Sequence, residues 1–159
     1  MDSVTREQKR QFLDQLSQGS LTIQLATLQA KLNRHAANQL EKFNIRLLEW
    51  RVLFVIATLQ TSSHGEVHEL TGIDRGQLSR LIKKMLADDL LAEQLSIEDH
   101  RQKTLTLTPK GQQKFEAAAP SMRQRRENLL QTLSEKEQVA LLNTLNSLHA
   151  YFDQALEQD

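Results

Sequence analysis

The sequence predicts a mainly helical fold carrying one small β-hairpin. Three observations lead there. Proline and glycine are scarce, two and five in 159 residues. Apolar residues recur at steps of three and four through most of the chain, which is the period of a helix. Only near residues 90–108 does the pattern change, to alternation over 103–108 and a looser match over 90–97, which is the period of a strand.

The elements follow in order. Residues 5–17 form a short amphipathic helix with Phe12, Leu13 and Leu16 on one side, broken at Gly19-Ser20. From Leu21 a long helix runs through Leu25, Leu28, Leu32, Ala36, Leu40 and Phe43. Asn44 ends it, because Asn tolerates the left-handed backbone of a helix end. Residues 48–59 hold Trp50, Val52, Leu53, Val55 and Ile56 so densely that the helix must be buried on most sides. Residues 61–88 read as two short helices joined by a tight turn. Ser63 and Glu66 have the spacing of a capping box, Gly72 stops the first helix, and Asp74 with Gln77 starts the second. Leu78, Leu81, Ile82 and Met85 form the inward stripe of that second helix.

LLAEQLSI (90–97) and KTLTLT (103–108) are the hairpin strands, and the charged EDHRQ between them is the tip. Pro109 opens the next helix, where its missing amide proton is not needed. Two helices, about 109–131 and 135–157, complete the chain, the last with a second capping box at Ser134 and Glu137. Its Leu141, Leu145, Leu148 and Phe152 step by four, three and four, a seam of the coiled-coil kind.

Composition excludes several classes. There is no cysteine, so disulfides, thiolate metal sites and cysteine redox switches are ruled out. No apolar stretch is long enough to span a membrane, and the polar N-terminus has no signal region, so a cytoplasmic protein with no membrane partner is expected. No glycine-rich phosphate loop and no serine, histidine and acid arrangement is recognisable, so neither an enzyme nor a cofactor is expected. Lys+Arg and Asp+Glu are both 20. With no global charge to attract nucleic acid, any positive surface must be local.

That local charge is present. Residues 75–84 (RGQLSRLIKK) carry Arg75, Arg80, Lys83 and Lys84 and no acid. With the apolar stripe turned inward, the outer face offers Arg75, Gly76, Gln77, Ser79, Arg80, Lys83 and Lys84. A major groove admits one helix, and Gln pairs with adenine as Arg does with guanine. Gln77 and Arg75 are therefore the base-reading candidates, and Arg80, Lys83 and Lys84 the phosphate neutralisers. The hairpin adds Arg101 and Lys103, and an arginine on a thin loop suits a narrow minor groove. Helix, turn, helix and basic hairpin in this order define a winged helix-turn-helix.

DHRQKTLTLTPKG (99–111) resembles the wing signature of the MarR family, EWRVLFVIATL its second helix, and ELTGIDRGQLSRLIKKML its recognition unit. The resemblance spans about residues 25–150. It implies a single domain over residues 1–159, with a winged helix-turn-helix DNA-binding lobe at 45–111 and a helical dimerisation lobe from 1–44 and 112–159. It also implies a homodimer on a pseudo-palindromic operator in double-stranded DNA, usually as a repressor. Arg101 would enter the minor groove with Asp99 holding it, and Arg80 would be the recognition-helix arginine. A small aromatic or anionic effector would sit near His35, Asn38, Arg46, Trp50 and Arg51, although Trp50, in a nearly continuous apolar helix, reads first as core. Two departures stand out. Gly76 replaces the usual Ser or Thr, and Asp88-Asp89 replaces the usual helix-ending Gly, with Asp89 able to take the left-handed conformation.

Two other readings fit parts of the sequence. His64 and His68 in HGEVH are four apart, a spacing that holds zinc on one helix face. Glu66 lies one place late for the metalloprotease pattern, so a solvated helix is expected there and no metal. The second is a helical protein-interaction module that keeps the winged fold without binding DNA, which zero net charge and Gly76 favour.

Overall fold

The computed structural model describes residues 5–95 and 103–156. Among the described residues seven helices and three strands follow in the order α1 (Arg6–Gly19), α2 (Leu21–Glu41), α3 (Leu47–Leu59), β1 (Ser62–Ser63), α4 (His64–Thr71), α5 (Arg75–Ala87), β2 (Leu91–Leu95), β3 (Lys103–Leu107), α6 (Pro109–Leu130) and α7 (Glu135–Leu156). The helices fall where the apolar periods and capping signals predict them, and the fold is mainly α with a small antiparallel sheet.

The chain forms two compact units, Met1–Ala118 and Ala119–Asp159. The core of the first is assembled around α3. Val52, Leu53 and Ile56 are fully buried there together with Leu40 of α2, Val67 of α4, Ile82 and Met85 of α5, and Leu105 of β3. The high apolar density of α3 is thus explained by neighbours on nearly every side. Trp50 lies in the same core, stacked on Phe115 with ring centroids 5.3 Å apart. The second unit consists of the C-terminal part of α6 and all of α7, which starts from the expected box: Glu137 accepts from the Ser134 amide at 2.8 Å and its hydroxyl at 2.6 Å.

The turns obey local chemistry. Ser63 and Glu66 make both bonds of their capping box. Gly72 ends α4 at φ 63°, and Asn44 and Asp89 take φ 53° and 57°. Asp74 accepts from the Gln77 amide at 3.0 Å, which is the Asp74 half of the expected box, while Gln77 itself is exposed.

The sheet differs from expectation by one strand. The order is β1-β3-β2, with β3 in the middle. Ser62 pairs with Leu105 and Ser63 with Thr104 on one side, and Leu91 to Leu95 pair with Leu107 to Lys103 on the other. Two serines carry no alternation, so β1 has no sequence signature. It is strand because the hairpin edge offers it partners.

Candidate nucleic-acid interface

The helix-turn-helix is α4 and α5, with β2 and β3 as the wing. In α5, Leu78, Ile82 and Met85 are buried and Leu81 is half-buried. Arg75, Gly76, Gln77, Ser79, Arg80, Lys83 and Lys84 are all exposed. At 3.6 residues per turn, Arg80, Gly76 and Lys83 occupy the middle of the outward face. Arg75 and Ser79 lie on one flank, and Gln77 and Lys84 on the other. An added Cβ on Gly76 would lie 3.3 Å from the Asp74 carboxylate and 3.8 Å from the Arg80 guanidinium, so the glycine leaves room for both.

Not every cation of the basic set is unengaged. The Lys84 ammonium donates to Glu49 of α3 at 3.0 Å and to Asp88 at 2.8 Å. The Glu49 side chain is only 5% exposed, and it also accepts from the Arg46 amide at 3.1 Å. Burial pushes the Glu49 carboxyl up, but the bonds from Arg46 and Lys84 and the charges of Lys84 and Lys114 outweigh it and hold the group below its ordinary range. Asp88 and Glu49 together raise the Lys84 ammonium. Sequence groups Lys84 with the phosphate neutralisers; in the structure its exposed ammonium is paired with two carboxylates, one of them 35 positions away.

The wing base has a similar arrangement. Glu93 of β2 accepts from Lys103 of β3 at 2.6 Å and bonds the His64 ring at 2.9 Å. Lys103 is the main cause of a depressed Glu93 carboxyl. Lys103 is exposed but already has an anionic partner. Asp99 and Arg101 lie outside the described residues.

The histidine pair is engaged by protein groups. His64 meets Glu93, and the His68 Nδ1 donates to the Ile73 carbonyl at 2.7 Å. Both line a shallow concavity with Arg75 and Ser79. Among the described residues no group of three or more metal-binding side chains is assembled.

Of the expected effector residues, two come together. Asn38 and Arg46 line a concavity between α2 and α3 with Ala37, Glu41, Asn44, Ile45 and Leu47. Trp50 is core, and Arg51 donates to Asn33 at 2.9 Å. His35 is exposed on α2.

Comparison with known proteins agrees with this geometry. The sequence profile of the MarR family matches residues 43–102. An uncharacterised HTH-type transcriptional regulator of Staphylococcus aureus is 30% identical over 112 residues, covering 69% of this chain and 77% of the relative. Among solved structures, a MarR/EmrR family transcriptional regulator from Acinetobacter sp. ADP1 superposes with a TM-score of 0.77 at 28% identity, over 84% of this chain and 94% of that one. The S. aureus MepR–DNA complex gives 0.75 at 16% identity over 84% and 96%, a likeness of fold. The chain belongs to the MarR family of DNA-binding transcriptional regulators.

Proposed function

We propose that the protein is a ligand-responsive repressor acting as a homodimer on a pseudo-palindromic operator. The observation that carries the DNA contact is the outward face of α5, which presents Arg80, Gly76 and Lys83 with no acid anywhere from Arg75 to Ala87. Gln77 and Arg75, near the N-terminal end that reaches base edges, read sequence. Arg80 and Lys83 neutralise phosphates, Ser79 donates at the flank, and Gly76 lets the DNA backbone approach closely. The wing supplies Arg101, with Asp99 holding it, and Lys103 adds charge at its base.

A second copy brings the other recognition helix one helical turn of DNA away, about 34–36 Å. Exposed apolar side chains in both units favour such pairing: Phe12, Leu13 and Leu16 in the first, and Leu141, Leu142 and Phe152 in the second. For the effector, the concavity at Asn38 and Arg46 offers a cation and an amide to a small aromatic or anionic molecule. Its release of DNA requires that it bind the non-fitting dimer more tightly than the fitting one.

The test is an anisotropy titration against duplexes enriched from a random-sequence pool by the purified protein, at two salt concentrations with competitor DNA. Tight, salt-sensitive binding that survives competitor is expected. Failure to enrich any sequence, with only weak binding that competitor abolishes, would favour the interaction module instead.

A further inference from the structure

We propose that Glu49 and Lys84 form a clamp that sets the roll of the recognition helix, so that Lys84 is a positioning residue for base reading rather than a phosphate contact. The inference rests on the DNA-binding reading of α5 given above.

The first ground is the place of Lys84 on the helix. By helical period it lies about 40° round from Arg80 and about 20° from Gln77. It therefore ties down the flank that carries a base-reading candidate. A roll of about 20° moves a side-chain tip about 6 Å from the axis through about 2 Å. The distance range of a good hydrogen bond is only about 0.5 Å wide, so such a roll breaks base contacts.

The second ground is what lies at the other end. Glu49 is 4% exposed and reaches both the Lys84 ammonium and the Arg46 amide that opens α3. Its carboxylate is fixed from two directions, which makes it an anchor and not a loose surface partner. Asp88 takes a second proton of the ammonium, at 2.8 Å. With two carboxylates around it, the ammonium is a poor counter-charge for a phosphate.

The third ground is the direction of the other restraints on α5. Asp74 caps the N-terminal end, and the close-packed Leu78, Ile82 and Met85 hold the inward face. The clamp adds a restraint on the flank that carries Gln77. Among the described residues the ion pair at Glu49 is the directed side-chain bond from the body of α5 to another helix.

The experiment uses the full chain and one fluorescent duplex enriched by the wild-type protein, with a scrambled duplex as reference. Affinity and its salt slope are measured for wild type, Lys84→Gln, Lys84→Arg and Glu49→Gln, each well below its own thermal midpoint. Under the clamp, Lys84→Gln and Glu49→Gln each lose about tenfold on the enriched duplex, the size of one lost base-edge pair. They lose little on the scrambled duplex and keep the wild-type salt slope, and Lys84→Arg restores most of the affinity. A fall in slope of about 0.9 for Lys84→Gln, with Glu49→Gln unchanged, makes Lys84 a phosphate contact and overturns the clamp. Lower thermal midpoints with unchanged affinity and discrimination make the pair merely structural and overturn it equally. Lys84 is half-exposed, so its variants decide the matter even where Glu49→Gln does not fold. A wild type that enriches no duplex overturns the DNA-binding reading itself, and the clamp with it.

Discussion

At the scale of single residues, Gly111 shows how one atom decides packing. It stands in the LTPKG stretch of the family signature, inside the first turn of α6. A Cβ there would lie 2.0 Å from the Leu90 carbonyl oxygen, a backbone atom that cannot swing away. Thr108 holds the same junction, donating to the Asp89 carbonyl at 2.6 Å and accepting from the Gly111 amide at 3.0 Å. Gly111→Ala is expected to destabilise the protein by about 1–3 kcal/mol or more through overpacking, read as a lower midpoint in urea. An unchanged midpoint would mean that α6 can move off the Leu90 turn freely. The two wing cations should also separate. Arg101→Ala is expected to weaken operator binding by about 1–3 kcal/mol, because it would remove a groove contact. Lys103→Ala should do less, because that ammonium is already paired with Glu93 at 2.6 Å. Equal losses in a titration would place Lys103 on the DNA as well. These residues also mark what the sequence discloses. Asn44, Gly72, Asp89 and the Ser63–Glu66 box were legible because each depends on atoms within a few positions. The Glu49 partner of Lys84 was not, because a charge pattern does not say which cation has a distant acid beneath it.

At the scale of elements, the same carboxylates that cap and tie the helices make stability depend on pH. Asp88 and Glu93 are depressed by lysines, and Glu66 and Glu137 by the serines of their capping boxes. Glu49 is depressed despite its burial. A group whose folded pKa lies below its unfolded value adds stability above the unfolded pKa and loses it as pH falls through the folded one. The thermal midpoint is therefore expected to hold near neutrality and to drop as pH falls below about 4, the ordinary carboxylate range. Glu49→Gln should flatten part of that drop, since it removes the one buried member of the set. A profile of the same steepness in the variant would show that Glu49 titrates alike in both states. Elements themselves were legible wherever a period repeats over several turns, as in α2, α3 and α7. β1 was not, because two residues cannot express a period and its strand character comes from β3.

At the scale of the whole molecule, the question is what covers the apolar surface that one chain leaves open. Val139, Leu141, Leu142, Tyr151 and Phe152 are 47–65% exposed in the second unit. Soluble monomers rarely expose contiguous apolar patches beyond a few hundred Å². Of the seam read from the sequence, Leu145 and Leu148 are half-buried, while Leu141 and Phe152 are exposed and available to a second copy. Leu141→Glu with Phe152→Glu should leave each chain folded, since neither side chain is core, yet charge the surface that the proposed homodimer would bury. Sedimentation is then expected to report a dimer for wild type and a monomer for the variant. Operator affinity should fall by about 10²-fold or more, because the second recognition helix no longer binds as a tethered partner at high effective concentration. Binding to an isolated half-site should be almost unchanged, which separates lost pairing from lost recognition. A variant that remains dimeric and binds the operator normally would remove the α7 seam from the interface and leave Phe12, Leu13 and Leu16 of α1 as the surface to test.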